Sequence, residues 1–169
     1  MACNRVISEK NADAILQNLT HEREKGKEAE IIVSKKRSFE AASAYRGKHI
    51  SVLNFASATN PGGGVTKGAS AQEECLCRTS TLYPLLYRRS LRDTFYKQHH
   101  TLNTSKASDA LIYTEGVIIC KTDEDLPKRM PREEWVSVDV ITVAAPDLRT
   151  KSNIHAAIIG NGTYMNDAE

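Results

Sequence analysis

A run of three glycines, Gly62-Gly63-Gly64, stands between an apolar strand pattern and a Gln72-Glu73-Glu74 triplet, and it constrains this chain more than any other feature. The stretch from Asn54 to Ser80 reads NFASATNPGGGVTKGASAQEECLCRTS. Glycine reaches dihedrals closed to other residues and lets the backbone come close to a ligand. A short loop then delivers two carboxylates to the start of an expected helix. Backbone able to cradle phosphate, followed at once by acid/base groups, points to chemistry on a nucleotide-like substrate. Two commoner phosphate loops fail on single positions. A P-loop begun at Gly63 reaches Gly68 in step but needs Lys where Ala69 stands. A Rossmann fingerprint begun at Gly62 needs a third glycine where Lys67 stands.

The rest of the chain is expected to serve this stretch as one α/β domain over residues 1–169, a length with room for one core. Asn11 to Leu19 has the spacing of a short helix, with Ala12, Ile15, Leu16 and Leu19 on one side. Glu30 to Val33 is a candidate first strand. Ser38 has the chemistry of an N-cap for a helix over Phe39 to Tyr45, which Gly47 would end. Lys48 to Phe55 reads as the central strand, apolar enough to be covered on both sides. Ligand sites in open α/β sheets lie at the carboxyl ends of such strands, where Asn60 and the glycines fall by sequence order. Beyond the triplet, Cys75, Thr79, Leu82 and Leu86 form a helical stripe, and Pro84 kinks that helix or ends it near Tyr83. Residues 90–109 are polar and read as helix end plus loop. Leu111 to Tyr113 and Gly116 to Lys121 are two strands or one interrupted strand. Thr122 to Glu134 is a loop, Val136 to Ala145 a buried strand, and 150–169 a loop or disordered tail.

Composition narrows the function classes. Hydrophobic residues make up 40% and charged ones 26%, as in soluble globular domains. The longest apolar runs, Val117 to Cys120 and Val140 to Ala145, fall well short of the roughly 20 residues of a membrane span. The N-terminus MACNRVISEKN lacks the apolar core of a signal peptide. Cys3, Cys75, Cys77 and Cys120 show neither a disulfide framework nor zinc spacing, so reduced thiols in the cytoplasm are expected. A net charge of +2 gives no ground for direct DNA binding. His99-His100 lacks a third ligand at a recognisable spacing and reads as exposed, so no metal is expected.

The triplet itself admits more than one reading. Ser70-Ala71-Gln72-Glu73 fits a capping box, with Glu73 reaching back to the Ser70 N–H. Glu74 and Arg78 stand at i, i+4 and would pair on a surface helix. Residues 73 and 74 lie about 100° apart on a helix, so they are not expected to share one job. Asn60, before Pro61, suits a turn at the strand end.

Three glycines, a seven-residue spacer from Val65 to Ala71, and Gln-Glu-Glu resemble the signature of the bacterial-type poly(ADP-ribose) glycohydrolases, which have a macrodomain fold. The flanks VLNFASATNP and ECLCRTSTLYPLL are similar to that family too, as are SFEAASAYRGKH, LIYTEGVIIC and VITVAAPDLR. The resemblance covers about Ser38 to Arg149. It implies a macrodomain-like three-layer α/β/α fold with a mixed central sheet. It implies hydrolysis of ribose–ribose O-glycosidic bonds in poly(ADP-ribose), or in an ADP-ribosylated protein, with release of ADP-ribose and no cofactor. Glu74 is then the general acid/base and Glu73 holds ribose hydroxyls. Gln72 orients the substrate or the carboxylates, Asn60 contacts the distal ribose, and Gly62, Gly63 and Gly64 pack against that ribose and the diphosphate. Nothing after Arg149 matches the family's second glycine-rich loop. The expectation is therefore a fold incomplete on its C-terminal side, and an alternative function as a weak or inactive ADP-ribose-binding remnant.

Overall fold

The computed structural model describes residues 2–21, 29–102 and 108–145. In chain order they form β1 (Cys3–Ile7), α1 (Glu9–His21), α2 (Ser38–Ser43), β2 (Ser51–Phe55), α3 (Gln72–Thr79), α4 (Leu82–Leu86) and α5 (Arg89–Leu91). A π-helical stretch, Arg92–Tyr96, then leads into α6 (Lys97–Leu102), followed by β3 (Leu111–Ile119) and β4 (Val136–Val143). The sheet order is β1-β3-β4-β2, with β3 antiparallel to both β1 and β4 and β2 parallel to β4. This is the mixed-sheet α/β architecture expected from the sequence.

The alternation of side chains across a strand decides which face is covered. Val52 and Asn54 of β2 align with Val140 and Thr142 of β4, and these with Thr114 and Ile112 of β3; all are buried. They share one core with Phe39 of α2, Leu76 and Cys77 of α3, Leu82 and Leu86 of α4, and Leu91, Phe95 and Tyr96. A bulge between Thr114 and Val117 reverses the parity of β3, so that Val117 and Ile119 continue the buried row. Gly116 sits in the bulge at φ +68° and donates its N–H to Asp139 Oδ1 at 3.0 Å.

The opposite face differs. Leu53 and Phe55 are 45% and 66% exposed, and Tyr113, Ile141 and Val143 beside them are only half-buried. The described residues thus build two of the three expected layers. β2 is not covered on both sides and is not central among them: it is an edge strand of the described sheet, as β1 is at the other side. Its apolar composition alone could not distinguish these cases.

Other expectations are corrected at the level of elements. Glu30 to Val33 forms no strand; Ile31, Ile32 and Val33 are 87%, 61% and 92% exposed. β1 was not expected, because CNRVI is short and half polar. It is held by ladder bonds to β3 and by Asn4 Nδ2 donating to Leu85 O at 2.7 Å. Ser38 is the first helical residue of α2 rather than its cap, which is Arg37. Residues 89–102 are helical throughout, since Leu91, Phe95, Tyr96 and His99 bury one face. His99 is accordingly buried, with Nδ1 2.8 Å from Phe95 O and Nε2 3.0 Å from Ser108 Oγ, while His100 is exposed. The helix after the triplet ends at Thr79, well before Pro84. That proline lies in the first turn of α4, where a missing N–H costs no helical bond. The tail, 150–169, lies outside the described residues.

Candidate functional site

The carboxyl end of β2, the glycine turn and the first turn of α3 meet at one place. Beyond Phe55 the chain turns on itself: Asn60 N–H donates to Ser57 Oγ at 3.1 Å, Gly63 N–H to Asn60 O at 2.9 Å, and Val65 N–H to Gly62 O at 3.1 Å. A 3₁₀ turn, Val65–Lys67, and a left-handed Gly68 return it to α3.

Each of the three glycines is needed for a different neighbour. Gly62 and Gly63 have φ of +70° and +57°, a region that costs other residues about 1–2 kcal/mol. A Cβ on Gly62 would lie 2.7 Å from the Tyr83 ring and 3.2 Å from Cys77 Sγ. A Cβ on Gly63 would collide with Glu74 Oε1, and one on Gly64 would lie 2.8 Å from Ala69 Cβ. The sequence points to glycines shaped for a ligand. The structure adds a prior demand, the close approach of the turn to the carboxylates.

Both glutamates are buried, at 3% exposure for Glu73 and 7% for Glu74. Glu73 does not close a capping box. The N-cap of α3 is Ala71, without a side-chain bond, and the Glu73 carboxylate turns the other way. Its Oε2 accepts from Ser57 N–H at 2.8 Å and its Oε1 from Asn54 Nδ2 at 3.4 Å. Burial pushes its pKa up to about 7, against the opposing pull of the Ser57 and Asn54 hydrogen bonds. Glu74 makes no surface pair with Arg78, whose guanidinium bonds Ala69 O and lies 3.5 Å from Cys75 Sγ. Glu74 Oε1 instead accepts from Gly64 N–H at 2.8 Å, and Oε2 is buried with no partner among the described residues. The two carboxylates therefore differ in environment: Glu73 is held at both oxygens, Glu74 at one.

Gln72 ties this corner together. Its Nε2 donates to Leu53 O at 2.7 Å and lies 3.2 Å from Ser38 Oγ, and its Oε1 accepts from Phe55 N–H at 2.9 Å. Odd-numbered backbone groups of β2 point away from β4, so one carboxamide stands where a neighbouring strand would bond. Asn60 is exposed, with Nδ2 3.3 Å from Thr59 Oγ1. The structure thus brings Gln72, Glu73, Glu74 and the three glycines together, with Asn60 on the same turn. Sequence reasoning missed Asn54, Ser57, Cys77 and Tyr83 as their partners. Only Asn54, a polar residue within an apolar strand, carried a signal. A cavity of about 550 Å³ adjoins this corner, lined by Ser38 and Gln72 together with Lys36, Arg37, Arg78 and Asp123 among others, and includes neither Glu73 nor Glu74 in its wall.

The site is a glycine turn at the end of one strand of a mixed α/β sheet, closed against two buried carboxylates. The chain belongs to the family described as microbial-type PARG, catalytic domain, whose model matches residues 4–122. Among solved structures, poly(ADP-ribose) glycohydrolase from Deinococcus radiodurans in complex with ADP-ribose superposes with a TM-score of 0.73 at 32% identity. That match covers 85% of this chain and 55% of the other. The glycohydrolase of Thermomonospora curvata bound to the inhibitor ADP-HPD gives 0.70 at 32% identity, over 90% of this chain and 55% of that one. The chain therefore spans a little over half the length of these relatives. A search of curated proteins finds no match. Among the described residues no helix is long and apolar enough to cross a membrane.

Proposed function

We propose that this chain hydrolyses the ribose–ribose O-glycosidic bonds of poly(ADP-ribose), or of an ADP-ribosylated protein, and releases ADP-ribose. The observation that carries this reading is the Glu74 carboxylate, pinned at Oε1 by the Gly64 N–H and, among the described residues, unpartnered at the buried Oε2. Such a bond breaks through an oxocarbenium-like transition state. Glu74, protonated, gives its proton to the departing ribose oxygen; as a carboxylate it then takes one from the attacking water. Glu73, anchored to β2 and to Ser57, holds ribose hydroxyls through its remaining lone pairs. Gln72 orients the carboxylates by fixing the start of α3 to β2. Asn60 meets the distal ribose, and the backbone of Gly62, Gly63 and Gly64 packs against that ribose and the diphosphate. The relatives solved with ADP-ribose and ADP-HPD support a ligand of that chemistry. The free state of all four cysteines supports a reducing, cytoplasmic setting.

A second reading, ADP-ribose binding with little or no turnover, is favoured by one observation. Phe55, the last residue of the strand that leads into the site, is 66% exposed among the described residues. Incubation of labelled, automodified poly(ADP-ribose) with the wild type and Glu74→Gln separates the two. Release by the wild type alone supports the hydrolase. Equal release by both would sink the role of Glu74, and binding of ADP-ribose without release by either would establish the second reading.

A further inference from the structure

Beneath Glu73 lies a polar layer that the proposed chemistry does not use. Asn54 of β2 is fully buried, directly opposite Thr142 of β4 in the register. Its Nδ2 lies 3.4 Å from Glu73 Oε1 and 3.2 Å from Thr142 Oγ1, while its Oδ1 has no partner among the described residues. An unpaired buried acceptor is costly, and native interiors rarely keep one without a reason.

We infer that Asn54 is a positioning residue for Glu73, and that its carboxamide, hinged on Thr142, turns over as that carboxyl gains or loses a proton. With Glu73 ionised, the Asn54 N–H faces Oε1 and Oδ1 is left idle. With Glu73 protonated, an N–H would confront an O–H, two donors with no acceptor between them. A half-turn of the amide replaces Nδ2 by Oδ1, which then accepts from the Glu73 hydroxyl and from Thr142. The idle acceptor of one state is the working acceptor of the other, with the NH₂ taking its turn as the idle end, so Glu73 keeps its place in both. Thr142 suits the hinge because a hydroxyl both donates and accepts.

The remaining groups around Glu73 do not provide this. Glu74 and Cys77 lie on its own helix, and the thiol of Cys77 is itself pushed up to about 12 by burial. Tyr96, from the π-helical stretch, is buried, its hydroxyl unpartnered among the described residues and its pKa raised by burial and then by Glu73. The backbone N–H groups of Ser57 and Gly62 donate only, favouring the ionised form. β2 and β4 contribute neutral Asn54 and Thr142, and of the side chains hydrogen-bonded to Glu73 among the described residues only Asn54 can serve either state.

The inference rests on the proposed function for its consequence in turnover, but its test needs no substrate. In the ¹⁵N-labelled chain, the Ser57 amide, which donates to Glu73 Oε2, is followed by NMR between pH 5 and 9 together with the Asn54 side-chain NH₂. Both are expected to move with one midpoint near 7. Asn54→Leu removes a charge-assisted donor worth more than the neutral bond it replaces, so the Ser57 midpoint is expected to rise by about half to one pH unit. Glu73→Gln is expected to abolish the transition. A midpoint in Asn54→Leu that stays or falls, an Asn54 NH₂ indifferent to the Ser57 transition, or a transition that persists in Glu73→Gln would each overturn the inference. Thr142→Val, which keeps the shape of the strand, is expected to raise the midpoint by less. If Asn54→Leu does not fold, an unchanged midpoint in Thr142→Val overturns it instead. A chain that releases no ADP-ribose still displays or lacks the coupled titration, so this inference and the hydrolase reading can fail separately.

Discussion

The two faces of the sheet are built from the same kinds of residue and end in different states. On one, Val52, Asn54, Val140 and Thr142 lie under α2, α3 and α4 with 8% exposure or less. On the other, Leu53 and Phe55, their neighbours in sequence, stand 45% and 66% exposed. The covered face carries the site, because the helix that shields it also brings Glu73 and Glu74 down onto the end of β2. Covering the sheet and assembling the carboxylates are therefore one event. Substitutions on the covered face are expected to couple stability to chemistry, and those on the open face to do neither.

The largest expected effect tests the chemical half of this contrast. Glu74→Gln keeps the size of the side chain and its acceptor for the Gly64 N–H, but removes the proposed acid/base group. Turnover of poly(ADP-ribose) is expected to fall by about 10²–10⁴-fold with little change in the unfolding midpoint. A loss of stability in place of turnover would make Glu74 a packing residue.

The second effect is a pH dependence from Glu73. Its carboxyl titrates at about 7 in the folded chain against a reference of 4.5, so between those values the folded state holds a proton that the unfolded state has lost. Stability therefore falls as pH rises from about 4.5 to 7, by about 3 kcal/mol in all. Urea unfolding at several pH values should show this slope in the wild type and its loss in Glu73→Gln. A slope shared by both proteins would assign it to other groups.

How far the sequence foretold this site depends on the kind of contact. Three glycines and Gln-Glu-Glu at their spacing are local signals; they led to the turn at the end of β2 and to a family resemblance, and the resemblance in turn implied the mixed α/β fold. The direction of Glu73 was not legible. Ser70 and Glu73 satisfy the capping-box pattern, but Ser57 N–H and Asn54, 16 and 19 residues away, win the carboxylate. Nor was the edge position of β2. Composition reports that a strand is apolar, whereas exposure depends on which elements lie against it. His99 failed for a related reason: a polar run hid Leu91, Phe95 and Tyr96 on one face.

A pair of glycines sharpens the comparison at smaller scale. Gly63 and Gly68 have φ of +57° and +79°, but a Cβ on Gly63 meets Glu74 Oε1 while one on Gly68 meets nothing within 4 Å among the described residues. Gly68→Ala is expected to cost the backbone term alone, about 1–2 kcal/mol. Gly63→Ala should cost that and more, with a fall in turnover as Glu74 is displaced. Equal costs, measured by urea unfolding, would mean that the turn yields without moving the carboxylate.

The smallest effect is the most direct trial of the two faces. Leu53 and Val52 are adjacent on β2, one on each face. Val52→Ala deletes two buried methyl groups, an expected cost of about 2 kcal/mol from transfer and cavity. Leu53→Ser deletes a larger apolar group, but from a position already 45% exposed, and is expected to change stability by no more than about 0.5 kcal/mol. The larger deletion should thus have the smaller effect, an inversion that residue size and hydrophobicity alone would not give. If Leu53→Ser costs as much as Val52→Ala, the open face is covered in solution, and the contrast between the faces belongs to the described residues rather than to the folded chain.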